Sequence, residues 1–202
     1  MLLNDFERYL VTHSMRSWVQ RWWDIPLLRR LAHHRPLGRT AELGCGAGHA
    51  LKTLSQLSGI TDMEAFEIDA KFLSLAREKS ASLQRVTLTQ ADIRQIPAKD
   101  AAFDSIFEFN VLHHVEGWSE AIQEASRILK PGGIFYAQET LKGFIDHPVW
   151  SRCMAHPQES RFLKEDFIAV TERAGFRVLG TQSWGNQFLW LAAEKERRAS
   201  GH

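Results

Sequence analysis

At 202 residues, 44% of them hydrophobic, the chain is long enough to bury a substantial core as one ordinary domain. Lysine and arginine total 25 against 24 acidic residues, so a formal net charge of +1 offers no general attraction for nucleic acid. The two cysteines, Cys45 and Cys153, lie too far apart in sequence to suggest a disulfide framework or a closed cysteine zinc site. Met1-Leu2-Leu3 passes at once into Asn4, Asp5 and Glu7, which does not resemble a secretory leader, and no later apolar run has membrane-spanning length. A soluble, cytoplasmic protein without membrane insertion is expected, and the sequence leaves its oligomeric state open.

In chain order, Asp5 to Leu31 carries Phe6, Leu10, Trp18, Trp22 and Trp23 together with Arg8, Arg16, Arg21, Arg29 and Arg30. An interfacial helix on lipid headgroups, a lid and a helix packed on the core compete here. Asp5, Glu7 and Asp24 dilute the basic face, which favours packing or a lid. From Arg39 onward, short apolar runs alternate with amphipathic stretches, the pattern of an α/β domain with a mostly parallel sheet. The division expected is a helical cap over 1–36 and a core over 37–195, within a single domain of 1–202.

The first strand is predicted to end near Leu43, and Leu51, Leu54 and Leu57 mark a helix stopped by Ser58-Gly59. "MEAFEID" is a second strand, followed by a helix carrying Phe72, Leu73 and Ala76; "RVTLTQAD" is a third. The apolar centre of "FDSIFEFNVLHHV" predicts a buried strand over Ser105 to Phe109, with Asn110, His113 and His114 past its end. Trp118, Ala121, Ile122, Ala125, Ile128 and Leu129 form one helical face, which Lys130-Pro131-Gly132-Gly133 ends before the strand "IFYAQE". Thr140 to Leu163 reads as an irregular crossing and a candidate pocket wall, with His147, Trp150 and His156 near its prolines. A helix over Lys164 to Ala174 stops at Gly175, and "FRVLGTQSW" and "NQFLWLAAEK" are two strands turned near Gly185.

Gly44, Gly46 and Gly48 occupy the first strand-to-helix turn, where an open parallel sheet binds ligands. A dinucleotide loop would place a small residue at position 49, and this chain has His49. Glu42 beside that turn would repel phosphates and suits a cationic ligand instead. S-adenosylmethionine meets both demands, with a carboxylate for backbone amides and an ammonium and sulfonium for acids.

At these residues the chain resembles the class I S-adenosylmethionine-dependent methyltransferases, small-molecule members in particular. Glu42, Gly44, Gly46 and Gly48 match the first motif, an acid followed by G-x-G-x-G, with Cys45 inside it. The likeness continues through Glu67, Asp92, "FDSIFEFNVLHHV" and "RILKPGGIFYAQE". It implies a three-layer, Rossmann-like sandwich with seven strands, the last one antiparallel. It also implies that Glu67 accepts from the ribose hydroxyls, with Asp69 the competitor. Asp92 would accept from the adenine amino group, Ile93 would offer its backbone N–H, and Ile68 and Phe109 would contact the adenosine. Cys45 suits a small loop position better than a nucleophile.

The partner implied is a small, hydrophobic or aromatic acceptor, with no nucleic acid. Glu108, His113, His114 and Glu139 are candidate bases near the strand ends, His113 the first choice as catalytic residue, against a structural hydrogen bond under the next helix. Cys153-x-x-His156 lacks a second ligand pair, so no metal is expected. Two other classes stay open: a nucleotide-cofactor oxidoreductase, disfavoured by Glu42 and His49, and a non-enzymatic cofactor-binding scaffold.

Overall fold

The computed structural model describes residues 14–146 and 161–197. Helix α1 (Ser14–Val19) runs through a π-helical turn (Gln20–Asp24) into α2 (Ile25–Leu31). Then follow β1 (Gly38–Leu43), α3 (Leu51–Ser55), β2 (Ile60–Glu67), α4 (Ala70–Ser80), β3 (Val86–Gln90) and β4 (Phe103–Phe109). A 3-10 turn (Leu112–His114) leads to α5 (Trp118–Ile128), β5 (Leu129–Thr140), α6 (Lys142–Ile145), α7 (Lys164–Arg173), β6 (Phe176–Trp184) and β7 (Phe188–Lys195).

The seven strands form one sheet in the order β3-β2-β1-β4-β5-β7-β6. Strands β1 to β5 pair in parallel, and β7 runs antiparallel to both β5 and β6. Two apolar cores cover the two faces, because successive residues of a buried strand point to opposite sides. On one side Phe135 and Ala137 of β5 meet Ala121, Ile122 and Ala125 of α5 and Phe167 of α7. On the other, Ile134 and Tyr136 share a core with Ile25 and Leu28 of α2, Leu51 and Leu54 of α3 and Ala76 of α4. Central strand β4 is buried almost throughout, whereas edge strand β3 alternates with solvent. The three-layer α/β expectation holds.

Two local expectations change. Lys130 to Gly133 does not separate α5 from the fifth strand but forms the first residues of β5. Pro131 and Gly132, the latter at φ +80°, are absorbed where the pairing jumps from Phe103↔Leu129 to Ser105↔Ile134. The helix after the glycine turn is also shorter than Leu51, Leu54 and Leu57 suggest: α3 ends at Ser55. His147, Trp150, Cys153 and His156 lie outside the described residues.

Candidate active site

The carboxyl ends of β1, β2, β4 and β5 converge on the glycine turn. Gly44 sits at φ +63°, and a Cβ there would lie 2.5 Å from Cγ1 of Val111. Gly48, at φ +78°, would press a Cβ to 3.1 Å from the Ala76 backbone of α4. Both positions demand glycine for conformation and for space. The Cys45 amide donates to the Phe66 carbonyl (3.0 Å), tying the turn to β2. Cys45 itself is buried, which pushes its thiol well above the usual range and excludes a thiolate nucleophile.

Glu42 closes on this turn from β1 and is 3% exposed. Its Oε2 finds no hydrogen-bond partner among the described residues. Burial raises its pKa to about 8, against the pull of Arg16 and with the help of Glu67. Glu67, at the end of β2, accepts from the Gly46 amide (2.8 Å, Oε2) and from the Asp69 amide (2.9 Å, Oε1). Each oxygen keeps a second lone pair for a ribose hydroxyl. Asp69, the competing residue, instead caps α4 by accepting from the Lys71 and Phe72 amides. Ile68 between them is 47% exposed, an apolar side chain held at the mouth.

Asp92 is gripped by Arg94, whose Nε and Nη2 both reach its carboxylate; that bonding holds Asp92 below the usual range. Ile93 is buried behind it. Phe109 stacks its ring on Phe107 and gives its carbonyl to Arg16 Nη2 (2.7 Å). The strand-end residues named from sequence thus gather on one crevice, except that Phe109 offers a ring already committed to the core.

At the β4–β5 end, Glu139 Oε1 accepts from the Leu112 amide (2.6 Å) and the Val111 amide (3.1 Å). Its Oε2 lies 2.5 Å from His113 Nδ1. Burial would raise Glu139, but the His113 ring and then its hydrogen bonds outweigh it and hold the carboxyl below its usual range. An ionised carboxylate only accepts, so Nδ1 donates the proton of this hydrogen bond. The Val111 amide also donates to Glu108 Oε1 (2.6 Å). Burial, and then the charge of Glu139, push Glu108 far upward, so it stays neutral.

Arg16 was the residue sequence reasoning left unplaced. It stands at the crevice within reach of the fields of Asp24, Glu108, Glu139 and Glu42. Arg16, Gln20 and Asp24 recur every four residues, an inward polar stripe on the first helix. That spacing was a usable signal. Ser17 adds a second contact, its hydroxyl 3.0 Å from His49 Nδ1 in the glycine turn.

S-adenosylmethionine fits this set. The unpartnered buried carboxyl of Glu42 would suit an ammonium, and Glu67 the ribose hydroxyls. No cluster of three metal-ligating side chains occurs among the described residues.

Residues 41–137 match the family model described as a methyltransferase domain. Two curated relatives, demethylmenaquinone methyltransferases of Staphylococcus aureus strains MRSA252 and JH9, are each 30% identical over 103 residues. Each match covers 50% of this chain and 43% of the relative, so the chain spans less than half the length of those proteins. Among solved structures, a chain from the Haloferax volcanii complex containing the Trm112 methyltransferase activator aligns with a TM-score of 0.79 at 16% identity. That alignment covers 96% of this chain and 97% of the other. An Aquifex aeolicus SAM-dependent methyltransferase aligns at 0.71 and 20% identity, covering 89% and 93%. These structural likenesses establish the fold. Sheet order, glycine turn and family match agree: the chain carries a class I methyltransferase domain, the family whose cofactor is S-adenosylmethionine.

Proposed function

We propose that the protein is a cytoplasmic enzyme that methylates a small hydrophobic or aromatic metabolite by direct displacement, with His113 receiving the proton that the acceptor gives up. The observation that carries this is the buried His113–Glu139 pair beside the glycine turn. A displacement needs alignment above all, and a base only when the accepting atom bears hydrogen. S-adenosylmethionine supplies, when bound, a methyl group on a positive sulfur. In that transfer this chain would align the acceptor with the methyl group, and the acceptor's proton would pass to the His113 ring. The imidazolium so formed is 2.5 Å from the Glu139 carboxylate, which makes it a neutral pair in a dry site. Neutral Glu108 keeps a second negative charge from competing for that proton. Glu42, Glu67 and Asp92 would hold the cofactor from the β1 to β3 side.

The relatives named for demethylmenaquinone support a hydrophobic acceptor. The test supplies isotopically labelled S-adenosylmethionine and a panel of phenols, quinols and a metabolite extract. Label should enter an organic-extractable small molecule, and His113→Ala should lower kcat by about 10²-fold or more with cofactor affinity kept. Label appearing only in protein or RNA, or a His113→Ala variant at full rate, contradicts the proposal.

A further inference from the structure

Eight large hydrophobic side chains are exposed among the described residues, and five of them, Trp18, Val19, Trp22, Trp23 and Trp184, lie in one place. Trp18 is 64% exposed, Trp22 61%, Trp184 53% and Trp23 48%. Trp23 meets Trp184 with ring centroids 5.9 Å apart, which joins the first helix to the β6–β7 turn as one aromatic surface. The helix has no inward room for these rings. Its buried side is taken by Gln20, Asp24, Ile25 and Leu28, and the π-helical turn sets Trp22 and Trp23 outward together.

Among the described residues the charge on this surface is one-sided; Asp5 and Glu7 lie outside them. Asp24 is the only acid between Arg16 and Leu37, and it is buried, accepting from Trp190 Nε1 at 2.8 Å. It therefore does not dilute the basic face, contrary to the expectation from composition. Arg21 and Arg30 are exposed and have no carboxylate partner among the described residues, and Arg21 lies over the Trp22 ring (5.4 Å). Exposed His33, His34 and Arg35 continue the side, Arg35 facing Glu194 at 3.8 Å. At the β6–β7 turn, residues 183–187 contain no acid, and Lys164 Nζ reaches Ser183 Oγ (3.5 Å).

We propose that this surface, α1 through α2 with the β6–β7 turn, docks on an anionic lipid bilayer. Tryptophan rings settle at the headgroup level, where one edge is apolar and the other wet, and arginine pairs with lipid phosphates. A second copy of the chain fits poorly, because a two-fold contact would set these arginines against each other without acids between them. A single-stranded nucleic acid would stack on tryptophans along a cationic groove, whereas this surface is a helix face and an exposed turn. The docked face adjoins the crevice, since Arg16 and Ser17 of the same helix touch Phe109 and His49. On the function proposed above, docking sets the mouth of the site against a store of lipid-dissolved acceptor. The lipid proposal stands on the surface alone.

Co-sedimentation of the full chain with extruded phosphatidylcholine vesicles, with and without about one third phosphatidylglycerol, tests it. The chain should partition to the anionic vesicles, about tenfold less at roughly 0.5 M salt. Trp18→Ser with Trp22→Ser should weaken partition about tenfold at an unchanged melting temperature, and Arg21→Glu with Arg30→Glu should abolish the preference for anionic lipid. Three results overturn it: no partition at millimolar lipid, partition indifferent to the tryptophan substitutions, or a dimer or oligonucleotide complex that they abolish instead.

Discussion

Glu42 and Glu139 end neighbouring regions of one crevice, and both are withdrawn from water, yet they titrate in opposite directions. Glu42 is raised to about 8 and Glu139 is lowered. Burial is common to both, so partners decide. Glu139 has its partner built in, the His113 ring at 2.5 Å, and two amides on its other oxygen. Glu42 has one oxygen without a partner among the described residues and only the distant pull of Arg16. On the function proposed above, the difference separates a group that would position another side chain from one whose charge would form against a ligand.

The two regions join at Val111, which packs on Gly44 and offers its amide to Glu108 and Glu139. Gly44→Val should therefore damage both at once. A β-branched residue at φ +63° driven into Val111 should cost about 3 kcal/mol or more in a thermal or denaturant melt and abolish cofactor binding. A stable, binding-competent variant would break the link between the regions.

Glu139→Gln should act on one region only. Its amide loses the charge that balances an imidazolium, so kcat should fall about 10²-fold while S-adenosylmethionine affinity stays within about twofold in titration. Equal losses in rate and affinity would merge the two roles. Glu67→Ala should do the reverse, weakening cofactor binding by about 1.5–3 kcal/mol in isothermal titration if its ribose bonds are charge-assisted. Because Asp69 is occupied in capping α4, no rescue from it is expected.

The sheet side of this picture was readable in the amino acids, because strand ends carry their signals locally. Glu42, Glu67 and Asp92 each follow an apolar run, and glycines at alternate positions announce the turn between β1 and α3. The start of β5 was not readable, since Pro131-Gly132 gives the same local signal whether it breaks the chain or bulges a strand. The meeting of Glu108 and Glu139 on one amide depends on the β4–β5 register, a contact between residues 31 positions apart that no local pattern encodes. Arg16 was hidden for a different reason. Its inward stripe with Gln20 and Asp24 was in plain view, but composition counted Asp24 as surface charge.

The pH dependence follows from Glu42. In the unfolded chain it ionises near 4.5 and in the ligand-free fold near 8, so between those values the unfolded chain holds fewer protons and stability falls as pH rises. A cation placed beside Glu42 reverses the preference, and at pH 7 the carboxyl must then give up its proton. Isothermal titration of S-adenosylmethionine at pH 7, in two buffers of different protonation enthalpy, measures this directly. The prediction is binding with proton release in the native chain, and binding without release in Glu42→Gln. A nicotinamide dinucleotide binding in its place, or identical enthalpies in the two buffers, would contradict the claim that this crevice is built for a positively charged cofactor.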